Sequence, residues 1–174
     1  MRFSSGYERF VRDRVTRRIW IRRAACSLCR TAPALLPSFV LLRRLDTVEV
    51  IGAALDRAVA GEGMRTVAVG LGVPHTTVRG WRRRFAGRAA MLTAGLAALT
   101  VELAGSAPVG PVAPEAAALA ALGAVWVWAR QRIGVAVPGR WPMAALVSGG
   151  GWLAATTSPP WAALGRGRWI PPVP

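Results

Sequence analysis

The stretch Arg65-Thr66-Val67-Ala68-Val69-Gly70-Leu71-Gly72-Val73-Pro74-His75-Thr76-Thr77-Val78-Arg79-Gly80-Trp81-Arg82-Arg83-Arg84-Phe85 has the form of a helix-turn-helix. The first helix of such a unit needs a small residue where the second crosses it, and Ala68 holds that place beside the inward-facing Val67 and Leu71. Gly72 supplies the positive backbone torsion of a tight interhelical turn, and Val73 plugs the gap between the helices. In the second helix Val78, Trp81 and Phe85 recur at three- and four-residue spacing and form one buried stripe. His75, Thr76, Arg79 and Arg83 are left facing outward, with Arg82 and Arg84 flanking them. Such a face can enter the major groove of double-stranded DNA, base-reading at Arg79 and phosphate-binding at its flanks. The alternative is a helical hairpin with a solvated basic face, but here the outer face carries Arg rather than a mix of signs.

Charge points to the same partner. The chain has 174 residues, a formal net charge of +15 and a pI near 12.0, and every basic residue apart from His75 is Arg. Abundant Ala, Gly, Pro and Arg is what GC-rich codons produce, so codon bias contributes to the basicity. The distribution is still uneven. Residues 1–90 hold 18 Arg against 6 acids, whereas residues 91–174 hold 5 Arg against Glu102 and Glu115. A boundary near Gly87 to Ala90 follows.

Upstream of the quoted stretch, Asp46-Thr47-Val48-Glu49 has the pattern of a capping box and predicts a helix start. Val48, Ile51, Leu55 and Val59 continue an apolar stripe until Gly61 and Gly63 end it, so this helix should pack across the back of the other two. The expected fold is mainly α, with a trihelical helix-turn-helix domain over residues 46–88. Before it, alternation around Ile19 and Ile21 predicts a short strand leading into Cys26-Ser27-Leu28-Cys29. Two thiolates at that spacing form half of a tetrahedral zinc site. With no second Cys pair in the chain, Cys26 and Cys29 are either half of a zinc site completed across a dimer or plain reduced thiols.

The run from Cys26-x-x-Cys29 through Ala34-Leu35-Leu36-Pro37-Ser38-Phe39 and Arg43-Arg44-Leu45-Asp46-Thr47-Val48-Glu49-Val50-Ile51-Gly52 to the helix-turn-helix resembles a family of small helix-turn-helix proteins from high-GC bacteria. That family is similar to the N-terminal zinc-ribbon and helix-turn-helix region of insertion-sequence transposases. The resemblance covers residues 16–88 well and the C-terminal part only loosely. It implies DNA binding by a protein related to mobile elements or to transcription regulation. Family members usually carry an earlier Cys-x-x-Cys that completes a zinc ribbon; this sequence lacks it, which implies a degenerate ribbon over residues 1–45 and a shortened or decayed member.

Residues 89–157 are apolar and rich in Ala, Gly and Pro, with helices expected at about 90–104 and 115–132 and an irregular tail over 158–174. The uncharged run Ala116 to Ala129 is shorter than the roughly 20 residues that a bilayer needs. Pro142, Gly149-Gly150-Gly151 and Pro159-Pro160 break the later one. These helices should instead pack within the chain or form a homodimer contact, with Trp126, Trp128 and Trp152 as apolar anchors. Arg residues interrupt every apolar stretch before Cys26, so no secretory signal is expected and the cytoplasm is the expected compartment. Catalysis has little support: Asp46 and Glu49 are assigned to a cap, Asp56 and Glu62 to a helix end, and no nucleophile elbow, phosphate loop or His-Glu metal motif occurs. The sequence therefore predicts a non-enzymatic DNA-binding protein. The alternatives are a DNA-targeting transposase remnant without its catalytic half and a small membrane-associated protein with a basic cytoplasmic domain.

Overall fold

Residues 2–25 form a β-hairpin. Strand β1 (Arg2–Arg12) pairs antiparallel with β2 (Thr16–Ala25), and the two-residue β3 (Ala34–Leu35) adds to the far edge of β2 in the order β1-β2-β3. In this computed structural model the described residues are 2–25, 27, 32–105, 113–134 and 138–154. The hairpin turns through Asp13, whose carboxylate accepts the Val15 amide at 3.0 Å and pairs with Arg17. That amide first, and the Arg17 charge after it, hold the Asp13 carboxyl below its ordinary range.

Six helices follow among the described residues: α1 (Val48–Val59), α2 (Met64–Leu71), α3 (His75–Ala86), α4 (Ala89–Ala104), α5 (Pro114–Ile133) and α6 (Arg140–Val147). The molecule is thus mixed α and β, which corrects the mainly α, trihelical expectation. Two physical reasons account for the difference. A short strand was expected around Ile19 and Ile21, but Val11 and Ile21 give the hairpin a buried face and β1 a partner, despite the many Arg residues between. The first three helices also do not close a core of their own. One apolar cluster runs from Leu41 through α1 to α6 as far as Leu153, so residues 89–153 complete it.

The start of α1 departs from the capping box. Its cap is Thr47, with no side-chain hydrogen bond to the helix. Asp46 accepts instead from Arg12 Nε at 2.7 Å, and Thr47 N donates to the Arg12 carbonyl at 2.8 Å. A charge-assisted bond to a cation from β1 outcompetes a neutral amide, so this segment fastens the sheet to the helices. Later helices fall close to the predicted spans, and α6 is an addition. Pro142 lies in the first turn of α6, where proline's missing N–H leaves no helical bond unmade.

A close approach docks α6 on α1. A Cβ on Gly52 would lie 2.2 Å from the Trp141 ring, and Asp56 accepts from the Trp141 indole at 3.0 Å and from Arg140. Asp56 is therefore a tertiary clamp, not a freely solvated helix end. Trp152 is fully buried, whereas Trp126 and Trp128 are only partly so. No helix among the described residues is long and apolar enough to cross a membrane. The tail over 158–174 lies outside the described residues.

The contact at Gly52 predicts its own cost. Gly52→Ala should destabilise the chain by about 1–3 kcal/mol, because the added methyl overpacks a rigid indole. The loss should shrink when Trp141→Leu makes room, as a double-mutant cycle in urea would register.

Candidate nucleic-acid interface

The α2–α3 connection is set by one torsion. Gly72 has φ +65° and ψ +32°, the left-handed conformation, and it directs the Val73 amide back to the Ala68 carbonyl at 3.1 Å. Ala68 is 3 % exposed at the crossing, and Val67 and Val73 are buried beside it. Pro74 then starts α3 in an extended conformation, its carbonyl accepting from Thr77 N at 2.9 Å.

Along α3 the buried side consists of Val78, Trp81 and Phe85. Thr76, Arg79, Arg83 and Arg84 are exposed, while His75 and Arg82 are half-buried. The six basic and polar residues do not behave alike. Arg82 Nε lies 3.4 Å from Glu115 Oε1 at the start of α5, and Arg84 turns back to donate to the Gly80 carbonyl at 3.0 Å. Arg84 also stands near Arg44, whose pKa is lowered by burial and then by that neighbouring charge. Arg79 and Arg83 pair with no carboxylate among the described residues.

The sheet brings further cations to this region. Arg12, Arg65, Pro74 and His75 line an open cleft of about 660 Å³ at the α2–α3 turn. On the other side of α2, Arg14 and Arg17 of the hairpin line a second cavity of about 550 Å³ with Gly70 and Leu71. Arg12 is neutralised by Asp46, a hydrogen bond that raises the Arg12 pKa, whereas Arg14 and Arg65 are not tied to any acid among the described residues. Arg57 and Glu62 clamp the α1–α2 turn; their mutual hydrogen bond raises the arginine pKa and lowers that of the carboxyl.

Sequence reasoning missed Arg12, Arg14 and Arg65. The pairing of β1 with β2 carries the hairpin cations to α2, and the alternation around Ile19 and Ile21 signalled β2 but not its partner. Cys26 and Cys29, the expected half zinc site, lie outside the described residues. Among those described, no three His, Cys, Asp or Glu side chains converge on a point that would hold a metal ion. In comparisons with known proteins, no family model, curated protein or solved structure matches this chain.

No neighbouring atom lies within 4 Å of a Cβ built on Gly72, so only the torsion resists substitution there. Gly72→Val should therefore destabilise the chain by about 1–3 kcal/mol through backbone strain. Gly72→Asn should cost distinctly less, since Asn tolerates the left-handed region. Thermal melts of the two variants check this ordering.

Proposed function

We propose that the chain binds double-stranded DNA by laying the outward face of α3 in the major groove. The observation that carries this reading is the division of α3 itself. Three fully buried residues fix its orientation, and the opposite side presents Thr76, Arg79 and Arg83 without an acidic partner among the described residues. A guanidinium on such a face can donate two parallel hydrogen bonds to O6 and N7 of guanine, and Arg79 occupies that place. Arg83 and Arg84 supply phosphate contacts, with Arg65 at the other end of the helix. The reading needs no metal and no reaction. It places the protein in the cytoplasm, in a role related to mobile elements or to transcription regulation.

Arg79→Ala should weaken binding to the preferred site by about 1–3 kcal/mol and binding to random duplex very little. Arg83→Ala should weaken both alike and reduce the log-affinity against log-salt slope by about 0.9 if one phosphate contact is lost. Selection of bound sequences from random DNA supplies the preferred site, and its symmetry reports whether a homodimer binds. Equal loss on specific and random DNA for Arg79→Ala would remove the base-reading role.

Glu115 offers a separate check on the flank. Glu115→Gln should free Arg82 and strengthen binding to all duplexes, with a steeper salt slope. An unchanged slope would mean that Arg82 does not face the DNA.

A further inference from the structure

The outer face of the sheet supplies none of the residues proposed to meet duplex DNA. Opposed residues of an antiparallel pair share a face, so the register Glu8↔Trp20, Phe10↔Arg18 and Gly6↔Arg22 sets Phe10, Trp20, Arg18, Arg22 and Glu8 on one side of the hairpin. Val11 and Ile21 point the other way and are buried against the rest of the molecule. On the outer side Phe10 and Trp20 are each 59 % exposed, and Phe3 is 69 % exposed. The Trp20 indole lies over Gly6, where a Cβ would come within 2.4 Å of Nε1. Any side chain at position 6 would lift the ring off the sheet. The Arg22 guanidinium stands 5.4 Å from the Phe3 ring centroid, and Arg18 pairs with Glu8 at 3.1 Å.

We propose that this face binds single-stranded nucleic acid, with unpaired bases stacked on Trp20 and Phe10 and the phosphates met by Arg18 and Arg22. Charge complementarity selects the partner. The face itself carries Arg18 and Arg22 against Glu8, and residues 2–25 as a whole hold eight Arg against Glu8 and Asp13, a net of +6, so a second copy of this chain docked hairpin to hairpin would set like charges against each other. A polyanion that also offers flat π surfaces satisfies both halves of the face: the rings stack on bases, and the guanidinium groups stack or bind phosphate. Trp20 and Phe10 are diagonal neighbours across the hairpin, a relation that places side chains roughly 7–8 Å apart. Each ring can therefore take its own base. A duplex keeps its base faces stacked inside, which makes this platform specific to unpaired strands.

The test uses the full chain and fluorescence anisotropy with labelled oligothymidine and oligouridine of about 15 nucleotides, near the upper end of known single-strand site sizes. Trp20→Ala and Phe10→Ala should each weaken binding by about 5- to 150-fold, the range for losing one base–aromatic stack. Trp20→Phe should retain most of the affinity, which a lost fold would not permit, and circular dichroism confirms that each variant keeps its structure. Neither alanine variant should alter binding to a duplex of equal length, and Arg79→Ala should leave single-strand binding intact, so the two surfaces fail independently. Unchanged single-strand affinity in both alanine variants overturns the proposal. So does a dimer in sedimentation that Trp20→Ala dissolves, or Trp20-dependent binding to phosphatidylserine vesicles, where the wild-type chain binds neither oligonucleotide.

Discussion

Phe85, Trp152 and Trp141 form an aromatic column on which the helical packing depends. Phe85 of α3 stacks on Trp152 with centroids 6.5 Å apart and planes inclined by 20°, and Trp141 of α6 meets Trp152 edge-on at 6.2 Å. Beyond Trp141 lies Gly52 of α1, so one line of contact joins three helices to the segment after α6. Burying an indole of 150–250 Å² stabilises by about 4–6 kcal/mol. Among the described residues the Trp152 Nε1 donor meets no acceptor, and a buried donor left unmade costs about 1–3 kcal/mol. Burial wins, and the column holds. Arg44 and Arg88 reinforce it from outside by donating to the carbonyls of Leu153 and Ala154. The side of α3 that is exposed follows directly: with Phe85 committed to Trp152, Arg79 and Arg83 have only the solvent side left.

A second constraint orients the sheet. Arg12 at the end of β1 donates to the buried carboxylate of Asp46, and two backbone hydrogen bonds of 2.8 Å flank that pair, from Arg12 N to Leu45 O and from Thr47 N to Arg12 O. Desolvating an ion pair offsets much of its attraction, so its contribution lies more in fixing one geometry than in stability. That geometry turns Val11 and Ile21 toward the helices and leaves Phe10 and Trp20 outside. It also brings the hairpin tip beside the end of α2.

What the sequence disclosed was local in origin. The Gly72 torsion depends on its own residue, and the stripe of Val78, Trp81 and Phe85 depends on helical periodicity, so both could be read without knowing what lay across from them. The outward positions of α3 followed from the same periodicity. What escaped was set by distant partners. Asp46 looked like a cap because Arg12, 34 residues earlier, was not yet beside it. Ser4, Ser5, Gly6 and the arginines hid β1, whose apolar residues are divided between a buried and an exposed face. Pro142 read as a breaker, yet a proline in a first turn leaves α6 intact. Trp141 was passed over as an anchor because its complement is a missing side chain at Gly52, and nothing in a linear pattern marks that vacancy.

The approach of α5 to α3 bears on how the proposed duplex interface discriminates. Glu115 lies in the first turn of α5, where a carboxylate is favoured by the helix dipole, and it reaches Arg82 across 3.4 Å. The Arg82 side chain is 44 % exposed and that of Glu115 23 %, so the pair is a surface one, worth at most about 1 kcal/mol. A phosphate can displace it at small cost, but until then one cation is withdrawn from an arginine-rich helix. Non-specific affinity comes from summed phosphate contacts, whereas the base recognition proposed for Arg79 would not depend on Arg82. In the proposed interface, holding Arg82 back would lower the affinity for every sequence without touching the contact that distinguishes one from another, so the ratio between specific and random sites would be preserved at a lower overall affinity.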